Sequence, residues 1–149
     1  MVITDVRIRL ITEGNDRLLA ICAVEMDDEF VIWGIKVIQG RNGLFVAMPD
    51  SKVMDCCPKC HGKNHLRAHF CNKCGKKLEE KRAECDAHGY EKLHIDIVHP
   101  VNNGCRQYMK EVILDAYEDE IQEAKRPGYV SRYDSEQSEE FIPPPIIIN

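Results

Sequence analysis

The residues with the clearest chemical signature are four cysteines in two matched pairs. They follow the pattern Cys-x2-Cys, a ten-residue spacer and a second Cys-x2-Cys, at Cys57, Cys60, Cys71 and Cys74. Zn²⁺ prefers four soft ligands in a tetrahedron, and two residues between cysteines allow one tight turn to direct both thiolates to the same metal. The spacing therefore predicts one Zn²⁺ ion per chain. A complete shell of four cysteines leaves no position for water or substrate, so the predicted site is structural.

Other potential ligands lie beside or between these pairs. Cys56 adjoins Cys57 and could compete for the metal, although the pair that starts at Cys57 keeps the regular spacing. His61, His65 and His69 stand four residues apart and would share one face if the spacer were helical. A hairpin between two knuckles would not keep that periodicity, and we then expect the histidines to be donors on an exposed loop. Both alternatives stay open at this point.

Motifs of the common enzyme classes are absent from the sequence. It contains no Gly-rich phosphate loop, no His-Glu-x-x-His, no Gly-x-Ser-x-Gly and no deaminase-type His-x-Glu with Pro-Cys-x-x-Cys. A redox role would need one Cys-x-x-Cys near a βαβ unit, whereas two pairs face each other here. We therefore predict a binding protein rather than an enzyme.

The charge is distributed unevenly along the chain. The net charge is −5, but residues 1–110 sum to +2 and residues 111–149 to −7. Residues 57–77 contain no acidic residue. The cations of this segment, which we predict to contact a phosphate backbone, are Lys59, Lys63, Arg67, Lys73, Lys76 and Lys77. The alternative is that these charges only keep a small metal-bearing module in solution.

The elements that must carry this segment are mainly strands. Alternating or β-branched runs at residues 2–11, 17–26, 29–38 and 44–48, joined by short turns, predict a four-stranded antiparallel meander. A fifth strand is predicted around Leu93, Ile95 and Ile97. An amphipathic helix, capped by Asn102 or Asn103 and stopped by the Arg-Pro-Gly at 126–128, can then cover the sheet.

The predicted fold class is α+β: an antiparallel meander sheet with one C-terminal helix packed on it, plus an inserted zinc ribbon. The domain occupies residues 1–49 and 92–126, the ribbon segment residues 50–91. Residues 127–149 are predicted to be a disordered acidic tail. Its Pro-Pro-Pro-Ile-Ile-Ile end is a candidate docking segment for a protein partner or a dimer mate.

The sequence also bears on location. It has no apolar run of the roughly 18 residues that a membrane span requires, and its start has neither a basic segment nor an apolar stretch with a cleavage site. We therefore expect a cytoplasmic protein that does not associate with a membrane.

Several stretches of the chain resemble the stage V sporulation protein G family (SpoVG). They are, in order, ITDVRIRL at 3–10, DEFV at 28–31, IKVI at 35–38, NGLFVAMP at 42–49 and HPVN at 99–102. The resemblance implies a homodimeric α+β fold, binding to DNA and in some members to RNA, and regulation linked to septation, sporulation or other gene control.

The resemblance also implies two nucleic-acid-binding positions outside the basic run at residues 57–77. In the family, a basic loop after the Met-Pro and a basic position at the start of the last helix are implicated in DNA contact, and here Lys52 and Arg106 keep the charge. Asp50 and Ser51 do not keep it. Our hypothesis is that the lysines of the zinc segment replace or extend this loop. The competing hypothesis is a zinc-ribbon adaptor that binds proteins and makes no direct contact with nucleic acid.

Overall fold

A computed structural model describes residues 1–14, 17–136 and 144–148 of the chain. The chain divides into two compact units. The first combines Met1–Pro49 with Val98–Phe141, and the second combines Asp50–Ile97 with Ile142–Asn149.

The first unit contains the predicted meander. Its strands lie in sequence order, each antiparallel to the next: β1 (Ile3–Leu10), β2 (Leu18–Met26), β3 (Phe30–Gly40) and β4 (Gly43–Ala47). A bulge interrupts the pairing of β2 with β3, where two residues of β3, Trp33 and Gly34, lie opposite Ala23. Gly34 has a φ of +83°, a conformation that residues with a side chain rarely adopt. A glycine therefore occupies the position of the bulge that requires a positive φ.

One long helix, α1 (Asn103–Glu123), covers this sheet as predicted. The side-chain oxygen of Asn102 accepts a hydrogen bond from the Cys105 N–H at 2.8 Å, which identifies Asn102 as the N-cap. Met109 and Ile113 are the fully buried helix residues, and they join the buried side of the sheet. The sheet residues of this core are Ile8, Ala20, Cys22, Val24, Met26, Ile35 and Val37, together with Met48 after β4. The predicted α+β class is confirmed.

The segment after α1 differs from the predicted disordered tail. Residues Arg132–Glu136 form a short helix, α2, against β1. Tyr133 is buried and meets Trp33 edge to face, with ring centroids 5.0 Å apart. Arg9 lies 4.7 Å from the Tyr133 ring centre and its Nε donates to Asp134 at 2.6 Å. Composition predicted disorder here because it does not reveal that these side chains find partners on β1 and β3.

The second unit is built around β5 (Asp50–Cys56). This strand pairs antiparallel with β6 (Lys63–His65) and β7 (His94–Asp96), and parallel with β8 (Ile146–Ile148). The fifth strand was expected to join the first sheet, but β7 pairs with β5, with His94 opposite Lys52. Residues 50–56 were assigned to the ribbon segment without a strand, so the strand with which β7 pairs was not predicted. The segment of the second unit that begins at Asp50 consequently ends at Ile97 rather than at residue 91.

The apolar C-terminal strand β8 pairs with β5 of the same chain. Ile146, Ile147 and Ile148 are opposite Val53, Met54 and Asp55 of β5, and the Ser51 hydroxyl donates to the Pro144 carbonyl. Disorder was predicted for these residues too. Residues 137–143 and 149, the remainder of the predicted tail, lie outside the described part of the chain.

Among the described residues, no helix is both long and apolar enough to cross a membrane.

Candidate metal centre and basic surface

The two cysteine pairs are held by turns with the same backbone pattern. In the first, the His61 N–H donates to the Cys57 carbonyl at 2.9 Å, and in the second the Gly75 N–H donates to the Cys71 carbonyl at 3.0 Å. His61 and Gly75 both have positive φ values, 62° and 77°. Each turn therefore bends its chain sharply just after the second cysteine, as a zinc knuckle requires.

The same N–H to sulfur contact occurs within each knuckle. The N–H groups of Lys59 and Lys73, each two residues after the first cysteine of its pair, lie 3.4 Å from the Sγ atoms of Cys57 and Cys71. Backbone N–H groups directed at sulfur stabilise the thiolate form, which is the form that binds metal. The local sequence Cys-x-Lys-Cys thus gives both knuckles the same N–H to sulfur contact.

The four sulfurs come together in one cluster. All four Sγ atoms lie within 4.8 Å of one another, with Cys57 to Cys74 at 3.7 Å and Cys60 to Cys71 at 3.5 Å. A disulfide would place two sulfurs about 2.05 Å apart, whereas a tetrahedron with metal–sulfur bonds of about 2.3 Å has edges of about 3.8 Å. The cluster fits the second geometry, so the four cysteines could hold one metal ion.

Asn64, which the sequence analysis did not single out, joins the two knuckles. Its side chain is fully buried. Its amide nitrogen donates to the Gly62 carbonyl at 3.0 Å and lies 3.4 Å from the Cys71 Sγ, and its oxygen accepts from the Asn72 N–H at 2.8 Å. A buried amide with partners on both knuckles fixes their spacing. A single sequence carries no signal that distinguishes this asparagine from one in an exposed turn.

The pKa values of the cysteine thiols bear on whether the cluster holds a cation. Hydrogen bonds from the Cys74 N–H, the Asn64 amide and the Lys73 N–H lower the pKa of Cys71 to about 5. The Gly62 N–H acts in the same direction on Cys60, but burial and the neighbouring thiols outweigh it and raise the pKa of Cys60 to about 11. Because like charges at these distances oppose joint ionisation, a four-thiolate set needs a divalent cation among the sulfurs.

The histidine alternative gains no support. The spacer forms β6 rather than a helix, and His61, His65 and His69 do not belong to any metal-ligand cluster in the described part of the chain. His65 Nδ1 instead accepts a hydrogen bond from the Arg67 N–H at 3.2 Å. Cys56 also lies outside the cluster. The candidate ligands are therefore Cys57, Cys60, Cys71 and Cys74 alone.

The cations of the segment are exposed around the knuckles. Five of them are exposed and form no ion pair within the described residues: Lys59, Lys63, Lys73, Lys76 and Lys77. Arg67 differs because its Nε donates to Glu91 at 2.6 Å. Since Glu91 neutralises part of its charge, Arg67 is a weaker candidate for phosphate contact than the sequence predicted.

Lys52 and Arg106 belong to different units. Lys52 is an exposed residue of β5 in the second unit. Arg106 is exposed in the first turn of α1, in the first unit, and its N–H donates to the Asn102 carbonyl at 3.1 Å.

Comparison with known proteins identifies the family. The SpoVG family model matches residues 1–119. The chain belongs to the SpoVG family. Two relatives named "Putative septation protein SpoVG" are similar over most of the chain: that of Agathobacter rectalis is 33% identical over 82% of this chain and 98% of its own, and that of Clostridioides difficile 32% identical over 81% and 91%. A "Putative septation protein SpoVG 2" of Listeria monocytogenes is 34% identical over 79% of each chain.

The SpoVG resemblance stated from the sequence is thereby confirmed. The stretches of sequence that resemble the family lie on β1, β3, β4 and at the start of α1, which are elements of the first unit. The cysteine cluster lies in the second unit, so the two features that the sequence singled out occupy separate parts of this SpoVG chain.

A second residue that the sequence analysis missed is Arg82. The mixed charges of residues 79–86 predict a short exposed helix, but these residues are irregular, and Arg82 folds back onto the second unit. Its Nε donates to Asp55 of β5 at 2.6 Å, and its other nitrogens donate to the carbonyls of His65, Ala68 and Glu79. The side chains of Arg82 and Asp55 are only 15% and 17% exposed.

We expect Arg82→Ala to destabilise the second unit by about 3 kcal/mol, because it leaves a largely buried carboxylate without its cation. Arg67→Ala is the matched control: its ion pair has the same 2.6 Å length but is 65% and 33% exposed, so its loss should cost at most about 1 kcal/mol. The measurement is the labelling of Cys57 and Cys71 by a thiol reagent across a urea titration. Equal urea midpoints for the two variants would contradict the role given to Arg82.

Proposed function

We propose that this protein is a homodimeric regulator that binds DNA, and RNA as well, through the basic surface of its second unit. The observation that carries the proposal is the set of five exposed lysines around the two knuckles, which form no ion pair with any described residue. Lysines in such an arrangement attract a phosphate backbone and release its counterions, whatever the total charge of the chain. Lys52 and Arg106 are proposed as further contacts.

The proposed cofactor is one structural Zn²⁺ ion. The sulfur-to-sulfur distances fit a tetrahedral site, and four cysteines in two Cys-x2-Cys pairs are a ligand set typical of zinc. The metal would hold the knuckles that carry the lysines. No catalytic role is proposed for the ion, because the four sulfurs complete its shell.

The biological setting of the proposal comes from the relatives, whose names refer to septation. We propose that this chain acts in septation or a related gene-control process in the cytoplasm, with the homodimer that its family resemblance implies. In solution, the protein should then have about twice the 17.1 kDa mass of one chain.

The second candidate function is that of an adaptor which binds proteins. It is favoured by large apolar side chains that stay exposed in the second unit, at Phe70, Tyr90, Ile95 and Ile97. Such residues can anchor a protein contact when they lie together.

A salt titration separates the two functions. Binding to duplex DNA, single-stranded DNA and RNA of one mixed sequence should be measured by fluorescence anisotropy between about 50 and 200 mM salt. We expect log affinity to fall linearly with log salt, by about 0.9 for each phosphate contact on duplex and about 0.7 on single strands. Absence of binding to all three probes at the lowest salt concentration would contradict the proposal and favour the adaptor.

A further inference from the structure

The hairpin that contains the second knuckle carries an aromatic ring directly opposite a lysine. Phe70 and Lys77 form an antiparallel bridge. The backbone hydrogen bonds on either side of the bridge, each 2.8 Å, join the neighbouring residues and not the pair itself. Phe70 and Lys77 are therefore a non-hydrogen-bonded pair, the type in which opposing side chains approach most closely and share one face.

The two faces of this hairpin have opposite characters. Cys71 and Leu78, the next residues along each strand, point to the other face and are buried with the metal ligands. Phe70 is 60% exposed and Lys77 is also exposed. Because the core of the module is completed on the inner face, the outer pair contributes little to packing and is available to a ligand.

A single exposed phenylalanine would not indicate a binding site, since single apolar residues are common on protein surfaces. Here the ring lies opposite the charged side chain of Lys77, and two more lysines are close in sequence. Lys76 and Lys77 follow the knuckle on the returning strand, and Lys73 lies within it. All three are exposed and form no ion pair in the described part of the chain. A ligand that suits this surface has a flat apolar part and an adjacent anion.

We propose that Phe70 stacks on an unpaired base while Lys77 contacts a neighbouring phosphate, so that this hairpin binds single-stranded DNA or RNA. Stacking on an aromatic side chain accepts any base, and a lysine beside it follows the backbone. In a duplex the base faces are already covered by their neighbours, so the ring gains nothing there. This inference rests on the proposed nucleic-acid function and specifies its substrate class.

The test compares Phe70→Ala with the parent full-length protein on three probes of one sequence: single-stranded DNA, single-stranded RNA and duplex DNA. We expect affinity for the single strands to fall about 5- to 100-fold and affinity for the duplex to change less than about 2-fold, with the salt slope unchanged. Phe70→Trp, which keeps a stacking surface, should bind as tightly as the parent. The matched control is Phe30→Ala, which removes an exposed phenylalanine from β3 of the first unit.

A 2-aminopurine base in the single-stranded probes reports stacking directly, and its fluorescence should be quenched by the parent and by Phe70→Trp but less by Phe70→Ala. Equal loss on single strands and duplex, or no loss with Phe70→Ala, would overturn the stacking role and leave the ring to a protein contact. A parent that binds none of the probes would instead contradict the proposed function itself, so the two failures are distinguishable. Metal content and circular dichroism verify that each variant is folded.

Discussion

Removing the metal should unfold the knuckles of the second unit and leave the first unit folded. The buried cluster of the knuckles consists of Cys57, Cys71 and Leu78, with Cys60 and Ala68 packed against it. Three of these five residues are proposed ligands, so the module has almost no apolar core apart from its metal site. Structural Zn²⁺ sites in small modules contribute about 10–16 kcal/mol of apparent binding free energy, which is also folding free energy.

The expected result is one zinc per chain by metal analysis, and loss of amide-exchange protection in β6 and both knuckles after chelation. The strands β1 to β4 should keep their protection, because their core of ten buried residues contains no proposed ligand. Cys60→Ser or Cys74→Ser should reproduce the effect of the chelator. The control is Cys85→Ser, which removes an exposed cysteine outside the cluster and should retain the metal.

Two outcomes would contradict this assignment. One is purified protein that contains no metal and whose eight cysteines all react freely with a thiol reagent in the native state. The other is a chelated protein in which the amides between Cys57 and Leu78 remain protected. In the second case hydrogen bonds such as those of Asn64 would hold the knuckles without an ion.

The first unit and the cysteine cluster could be predicted because their signals are local. Alternation of apolar residues defines β1, and steps of three and four define α1, whatever lies elsewhere in the chain. In the same way, the Cys-x2-Cys spacing by itself determines that both thiolates of a pair can reach the same metal. Asn102, three residues before the N–H that it caps, is a further case in which a few neighbouring residues determine the structure.

The features that could not be predicted depend on partners distant in sequence. β7 joins β5 across about forty residues, and β8 joins it across about ninety. Arg82 forms its ion pair with Asp55, 27 residues away. Tyr133 packs on Trp33, 100 positions earlier in the chain. No periodicity records such pairings, and in each case the long-range contact prevailed over the local tendency to form a loop, a helix or a disordered tail.

Neutralising Lys73, Lys76 and Lys77 together should remove a large part of the salt-dependent binding. Lys73, Lys76 and Lys77 are exposed, none is a proposed ligand, and none belongs to a buried cluster. Their joint replacement by glutamine should therefore leave the zinc content and the dimer unchanged. If all three contact phosphates, the slope of log affinity against log salt on duplex DNA falls by up to about 2 to 3 units, with similar weakening on every sequence tested.

The matched control replaces three other lysines by glutamine, so that the net charge changes equally. Lys81 and Lys92 are exposed in the second unit away from the knuckles, and Lys125 is exposed in the first unit. A general charge effect would weaken binding equally in both triple variants, whereas direct contact would reduce the slope only for the knuckle variant. Anisotropy titrations at several salt concentrations supply both slopes.

Arg106→Ala tests the proposed contact at the start of α1. If both surfaces contact nucleic acid, this variant should weaken binding with a smaller change of slope, about 0.9, because one charge is lost instead of three. The informative alternative is a knuckle variant that binds like the parent while Arg106→Ala abolishes binding. Recognition would then belong to the first unit, and the metal-bearing unit would be better explained as a protein-docking module, with Phe70, Tyr90, Ile95 and Ile97 as its candidate anchors.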